Sequence, residues 1–342
     1  MDQGQQHITH DAPGVPRYAP REAGRHRVNR TGAWAAALLL AGVSAVVAFR
    51  AAGRDGPTPV PQLLAFLPWL LAPTAAALLL ALLSRWRTGM VWGVVVLGAL
   101  AWYMEPYGPS GSAGSPDGAP VSGVRVLASN VQFSRGTNAL IDTVTRHRPD
   151  LVFVEECGGP CRDALDRESL RARYPHRRAV AADGSEGSMI LSRFPLKAAP
   201  TVAGTMGMPA AVADVRGHAV RLQLAHPMPP LPDQVGVWTT ELGRLADVAR
   251  ATEGPGIMAG DFNATQDHAA FRRILDAGAL HDAARLTGHA RTPSWPSTAP
   301  GPLGTQIDHV LVTDDFSADK ARFIDLADTD HRALLVDLTL HG

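Results

Sequence analysis

An α/β domain behind three membrane-spanning helices is the fold class this sequence predicts, and three observations carry it. The first third of the 342 residues holds three long uncharged, apolar runs. From Val124 onward, short apolar runs of strand length alternate with stretches of helical period. Acidic, amide and imidazole side chains then recur where an apolar run gives out, at the places where a sheet scaffold carries its sites.

Residues 1–30 are polar, rich in Gln, His, Pro and Arg, and read as a disordered basic cytoplasmic tail. The membrane section follows over 31–104. Thr31–Phe49 has 19 uncharged residues, Gly56–Ser84 has 29 with its apolar core at Leu63–Leu83, and Thr88–Met104 has 17. A bilayer core takes about 20 apolar residues per helix, which sets the three transmembrane helices at about 31–49, 63–83 and 88–104. Trp34, Trp69, Trp86, Trp92, Trp102 and Tyr103 lie mostly near the run ends, where interfacial aromatics sit. A cleaved signal peptide at 33–49 is the alternative, and it accounts for neither of the two runs that follow.

Orientation comes from the positive charges. Arg17, Arg21, Arg25, Arg27 and Arg30 precede the first span, and Arg85 and Arg87 separate the second from the third. Arg50 and Arg54 of the first loop are partly offset by Asp55. The N-terminus and second loop are then cytoplasmic, and three spans put everything after Met104 outside, a multi-pass protein of the cell membrane with an extracellular C-terminal domain. Residues 105–121 form a Gly/Pro/Ser linker, and the domain occupies 122–342.

The overall balance of 32 Lys/Arg against 32 Asp/Glu conceals an asymmetry. Residues 1–103 hold 9 and 4 of them, leaving 23 against 28 and a formal charge of −5 for the rest. A mildly acidic domain is a poor general trap for polyanions, which disfavours extended duplex nucleic acid as partner.

Within the domain, Val124–Ala128 reads as a strand ending at Ser129-Asn130, and Asn138–His147 as a short helix. Leu151–Val154 is a buried strand running into Glu155-Glu156. Met189-Ile190-Leu191 and Ala219–Ala225 read as strands, the latter ending at His226. Asp233–Arg250 places Val235, Trp238, Leu242, Leu245 and Ala249 at spacings of three and four, an amphipathic helix with Asp233 positioned to cap it. Gly256–Ala259, Gln306–Val312 and Ala333–Leu338 complete the strands. The arginine-dense segment from Arg162 to Arg178 reads as the solvated face of a helix.

Asp261 and Asn263, two apart after the Gly256–Ala259 strand, project to one side of extended backbone. Alone, such a pair is also what a turn with Asx hydrogen bonds shows. Asn130, Glu156, His226, Asp308, Asp330 and His331 sit at the other strand ends or adjacent turns, and that repetition is what singles them out.

Ser129-Asn130-Val131-Gln132, Pro149–Glu156, Gly187–Pro195, Ala225-His226-Pro227, Gly260–Asn263, Ile307–Val312 and Thr329–Arg332 together resemble, in order, the motif series of the endonuclease/exonuclease/phosphatase superfamily over about residues 122–341. The resemblance implies a four-layer α-β-β-α sandwich of two packed mixed β-sheets flanked by helices. Three departures stand out: Glu155 where the family has Gln, Thr329 where it has Ser, and Pro227 after His226. Glu155 is expected to add negative charge beside the cation.

The resemblance implies hydrolysis of a phosphate ester with a hard divalent ion, Mg²⁺ or else Mn²⁺, on Glu156 with Asn130 beside it. Asp330 completes the site from the last loop, either near the metal or supporting another ligand. Asp261 would activate the attacking water, and Asn263 would hold a phosphoryl oxygen. His331, oriented by Asp308, would donate to the same group. His226 matches the position of an acid that assists the leaving group or grips the phosphate. Cys157 and Cys161 follow Glu156 directly, and outside the cell they are expected to form a small disulfide, with a redox or metal role as the alternative. The expected partners are the lipid bilayer and a phosphoester substrate, a phospholipid head group or other small phosphoester. No obligate protein partner is evident. The competing readings are a nuclease acting on extracellular nucleic acid and a non-catalytic sensor that binds a phosphorylated ligand.

Overall fold

The computed structural model describes residue 1 and residues 29–108, 118–300 and 303–342. The tail expected over 1–30 and most of the 105–121 linker lie outside the described residues.

Helices α1 (Arg30–Ala51), α2 (Val60–Ala65), α3 (Leu71–Leu83) and α4 (Arg87–Met104) form an N-terminal bundle. Among the described residues two helices, α1 and α4, are long and apolar enough to cross a membrane by length and composition. The span expected over 63–83 is a broken one. Helix α2 stops at Ala65, a 3-10 turn covers Leu67–Leu70, and α3 runs on from there, so the apolar stretch Leu67–Leu83 has 17 residues. Pro68 lacks an N–H and disfavours helical backbone just before itself, which accounts for the break. Leu40, Val43, Ala77, Ala81, Val96 and Leu100 pack the bundle interior, while Trp34, Leu38, Leu79, Leu83, Val94 and Trp102 are exposed on its outside. At one end of the bundle, Asn29 N donates to Ser84 O at 3.3 Å, which gathers Arg30, Arg85 and Arg87 there.

The remainder builds two six-stranded sheets. In chain order the elements are β1 (Pro120–Asn130), α5 (Thr137–His147), β2 (Leu151–Glu155), α6 (Gly159–Leu165), α7 (Glu168–Arg173), β3 (His176–Val180), β4 (Ser188–Ser192), β5 (Leu196–Val202), β6 (Met208–Val215), β7 (His218–Ala225), α8 (Val235–Ala251), β8 (Gly256–Asp261), α9 (Ala269–Ala277), β9 (His281–Asp282), α10 (Ala283–Leu286), β10 (Asp308–Val312), β11 (Phe316–Asp325) and β12 (Arg332–His341). One sheet runs β11-β12-β1-β2-β4-β3 and the other β5-β6-β7-β8-β10-β9. Each has one parallel pair near its middle, β1 with β2 and β7 with β8, among antiparallel neighbours.

Val126, Phe153, Leu222, Ile257, Val310 and Val336 fill the space between the sheets. On the outer face of one sheet, Leu140 and Val144 of α5 and Leu165 of α6 cover Val152 and Leu335. On the other, Trp238, Leu242, Leu245 and Ala249 of α8 are buried with Phe271, Ile274 and Leu275 of α9. The chain is therefore two mixed sheets packed face to face and flanked by helices.

Two details differ from expectation. Helix α8 begins at Val235 behind Gln234, which makes no side-chain cap, and Asp233 holds left-handed backbone at φ 65° instead of capping. The arginine-dense segment is divided among α6, α7 and strand β3, with Arg171 and Arg177 both paired to Asp166.

The junction between bundle and domain is polar and dense. Asp55, buried in the loop after α1, accepts Ala269 N at 2.6 Å and Ala270 N at 3.0 Å, so it caps α9 from outside that helix's own chain segment. His268 Nδ1 accepts Thr265 N at 2.9 Å, which leaves Nε2 to donate to Pro61 O at 2.8 Å. Asp267 receives Arg291 at 2.5 and 3.0 Å and Arg50 at 3.4 Å, while Arg291 also donates to Tyr103 O at 2.6 Å. Thr305 Oγ1 donates to Ala65 O at 2.6 Å, and Gln62 donates to Pro230 O. Replacing Asp55 by Ala strips two N–H groups at a helix N-terminus of their acceptors and should cost about 1–2 kcal/mol. Thermal unfolding of the full-length chain in detergent should show the lowered midpoint, and an unchanged midpoint would show that the junction is not stabilising.

Candidate active site

The polar groups singled out in the sequence collect at one end of the sheet pair. Strands β1, β2, β7 and β8 end there with Asn130, Glu155-Glu156, Ala225-His226 and Asp261, and the antiparallel β10 and β12 begin there with Asp308 and, just before Arg332, His331. Register does part of the work, since Asp308 stands directly opposite Asp261 in the β8–β10 pair. Gly260, with φ +141°, lets β8 pass against the Ala225 carbonyl and the Glu155 carboxyl, where a Cβ would collide with both. Glu156 and Asn263 hold left-handed backbone at φ 56° and 47°, a conformation that costs energy in a residue with a Cβ and is found at sites that need a side chain aimed.

These side chains form one connected chain. Asn130 Nδ2 donates to Glu156 Oε1 at 3.2 Å and to Asp261 Oδ2 at 3.1 Å. Phe133 N donates to Glu156 Oε2 at 2.8 Å, and Asn263 N to Asp261 Oδ1 at 2.8 Å. His331 Nδ1 lies 3.0 Å from Asp308 Oδ2, and its Nε2 is 3.7 Å from Asp261 Oδ2 and 4.0 Å from Asp330 Oδ1. Asn263 Nδ2 donates to Pro227 O at 3.0 Å. His226 is buried on the wall of the same cavity, and its Nδ1 has no hydrogen-bond partner.

Electrostatics divides the labour. Burial pushes the Asp261 carboxyl up, with Asp308 adding to the push and His331 opposing it, to about 7. Burial would lower His331, but Asp308 and Asp261 outweigh it and hold the imidazolium to about 10. His226 goes the other way: burial, and then the nearby His331 charge, bring it down to about 3. It is therefore neutral at pH 7, an uncharged N–H donor or ring-nitrogen acceptor on the site's wall. Glu155 is fully buried with neither carboxyl oxygen bonded, and burial together with Asp308 and Asp261 raises it well above its usual range. That shift works against the extra negative charge expected beside the cation.

The donor set suits a hard cation. Asp261, Asp308 and His331 each offer an atom within 4.8 Å of the others, all buried, and Glu156 adds a carboxylate one Asn130 amide away. Oxygen donors of this kind are what Mg²⁺ or Mn²⁺ takes. Asn130 turns its Nδ2 toward both carboxylates and spends one lone pair of Oδ1 on Gln132 N at 2.9 Å. That makes it first a group that orients Glu156 and Asp261, with one carbonyl lone pair left over.

Several supporting residues were not identified from the sequence. Gln132 Oε1 accepts Asp330 N at 3.1 Å, Thr329 Oγ1 donates to Asn130 O at 2.9 Å, and Trp295 Nε1 donates to Asp330 Oδ2 at 3.0 Å. Trp238, assigned only to the helix core, donates its Nε1 to Asn263 O at 3.1 Å. Gln132 and Thr329 lie inside motifs visible in the sequence, whereas nothing local to Trp295 marks it. Cys157 and Cys161 are joined in a disulfide directly behind Glu156.

Carboxylates, an imidazolium and buried amides at one end of two packed mixed sheets define a metal-dependent hydrolase of phosphoester bonds. The chain belongs to the endonuclease/exonuclease/phosphatase family, whose model matches residues 127–331. Its members are metal-dependent hydrolases acting on phosphoester bonds, and this chain is one of them. No curated protein matches the sequence. Solved structures share the fold: D. rerio TDP2 complexed with single strand DNA product is 15% identical with a TM-score of 0.52, covering 64% of this chain and 99% of its own. Truncated Caenorhabditis elegans TDP2 is 16% identical with a TM-score of 0.51, covering 64% and 98%. An endonuclease/exonuclease/phosphatase from Bacteroides vulgatus is 14% identical with a TM-score of 0.50, covering 65% and 100%.

Proposed function

We propose that this protein is a membrane-anchored phosphodiesterase that works at the outer face of the cell membrane on a phospholipid head group or another small phosphoester. The observation that carries the reading is the placing of the junction. The loop after α1, the end of α4 and the catalytic domain all meet at one end of the bundle, while Arg30, Arg85 and Arg87 gather at the other. Such an arrangement suits a bundle set in a membrane with a basic cytoplasmic end, with α1 and α4 long and apolar enough to cross and the shorter Leu67–Leu83 stretch packed between them. The exposed apolar side chains around the bundle support its burial in lipid.

In this reading Glu156, with Asn130 and Asp330 beside it, would hold Mg²⁺ or Mn²⁺, and the Asn130 amide orients the Glu156 and Asp261 carboxylates. The bound cation would offset the charge on the phosphoryl oxygens. Asp261, near 7, accepts the proton of the attacking water. His331 donates to a phosphoryl oxygen from Nε2 while Asp308 holds Nδ1, and His226 and Asn263 supply neutral N–H donors. The D. rerio structure holds a DNA product, but the −5 charge over 104–342 weighs against a polyanionic substrate here.

Release of p-nitrophenol from bis(p-nitrophenyl) phosphate by the full-length protein tests the catalytic part. It should require Mg²⁺ or Mn²⁺, stop with EDTA and return when the metal is restored. Absence of any metal-dependent release would favour the non-catalytic sensor.

A further inference from the structure

The catalytic cleft is not built by the domain alone. A cavity of about 370 Å³ opens over Asp261, Asn263, Glu156 and His331, and three of its lining residues, Gln62, Ala65 and Phe66, come from the membrane section. They lie in and just after α2, immediately before the 3-10 turn at Leu67 that starts the Leu67–Leu83 apolar stretch. Thr305 to Ala65 O and Gln62 to Pro230 O fasten this segment to the domain. Apart from Gln62, Gln132 and Thr305, the rest of the cavity away from the catalytic groups is apolar: Phe133 and Leu231 are 58% and 48% exposed, and Met206, Pro229 and Trp295 also line it. Among the described residues, no Lys or Arg lines it.

A polyanion would need cationic partners along the path its backbone takes, and beyond His331 at the reacting centre this cleft offers no Lys or Arg. Exposed Phe and Leu around a phosphoryl-binding centre, continuous with a helix that enters the apolar bundle, instead match a ligand with a charged head and an apolar body. We infer that Phe66, Phe133 and Leu231 form a tail-binding groove, so that the substrate is a lipid phosphoester drawn from the outer leaflet. The membrane section is then part of the substrate site as well as an anchor. The inference rests on the phosphodiesterase reading above and specifies its substrate.

The test uses the full-length chain and a series of alkyl p-nitrophenyl phosphates, methyl, octyl and dodecyl, which share one leaving group and one reacting centre. In detergent at fixed concentration, kcat/KM should rise about tenfold or more from methyl to octyl, since each methylene leaving water contributes to binding. Phe66→Ser and Leu231→Ser should collapse the octyl-to-methyl ratio toward one, and Phe66→Leu should restore it. A ratio is independent of how much protein is folded, so poor folding of a variant leaves the answer intact. A wild-type ratio near one, or a ratio that survives both Ser variants, overturns the groove. Faster turnover of the thymidine p-nitrophenyl ester than of the octyl ester overturns it in favour of nucleic acid.

In a second arm the chain sits in phosphatidylcholine vesicles with the dodecyl ester. Turnover should follow the ester's mole fraction in the bilayer, and dependence on bulk concentration alone overturns the leaflet as source. If no ester is hydrolysed in Mg²⁺ or Mn²⁺, the phosphodiesterase reading itself fails, an outcome distinct from all of these.

Discussion

Substituting Asp261 by Ala should lower turnover of a simple phosphodiester by about 10²–10⁴-fold, the usual contribution of a positioned general base. The carboxylate is fixed from two sides, by Asn130 Nδ2 at 3.1 Å and Asn263 N at 2.8 Å, so its geometry is preorganised and little else can take its place. Its proton is held to about 7, chiefly by burial. The ionised form is the one that accepts a proton, so kcat/KM of the wild-type protein should climb as pH rises through about 7. On the alkaline side His331 must stay protonated, and the rate should decline as pH passes its value of about 10. Asp261→Asn keeps the size and one of the two accepted hydrogen bonds while removing the titration, and it should flatten the acid limb at a much lower rate. Retention of near-normal hydrolysis by either variant would remove Asp261 from the reaction.

The site was legible in the sequence to the extent that strands were. Leu151–Val154 and Gly256–Ala259 are short apolar runs with abrupt polar ends, and an abrupt end fixes which side chain stands at the rim of a sheet. Other strands lack that contrast. Strand β3 reads His-Arg-Arg-Ala-Val and is only half-buried, β5 carries Lys197 and Pro200, and β11 alternates exposed Asp319 and Lys320 with buried Ala321 on a sheet edge. Their place comes from pairing with distant strands, a tertiary effect that overrides local pattern.

The junction was still less accessible. Asp55 meets α9 across 214 residues and Gln62 meets Pro230 across 168, and nothing beside Asp55 separates a helix cap from an ordinary loop carboxylate. Glu155 shows the same limit at closer range. Its identity was plain, yet its charge state depends on burial and on Asp261 and Asp308, which reach it only when both sheets have packed. Composition set the bounds of the apolar N-terminal section but not its shape, because the break before Pro68 sits inside an apolar run.

The His331–Asp308 pair makes the sharper test of mechanism, because its two members should fail differently. His331→Ala removes the donor aimed at the phosphoryl oxygen and leaves Asp261 and Asp308 as buried like charges with no cation between them. Loss of such a donor costs about 10²–10³-fold in kcat. Asp308→Asn leaves the imidazole in place but withdraws the carboxylate that most raises its pKa against burial. The alkaline limb of the rate profile should therefore move to lower pH, while His331→Ala should abolish that limb. Stability follows the same linkage. His331 is raised on folding from 6.5 to about 10, so its contribution is fully present below about pH 6.5 and is lost as pH rises through 10. Unfolding of the full-length protein in EDTA should show that decline between pH 7 and 10, reduced in Asp308→Asn. An alkaline limb that stays put in Asp308→Asn would mean that something other than this pair keeps the proton on His331.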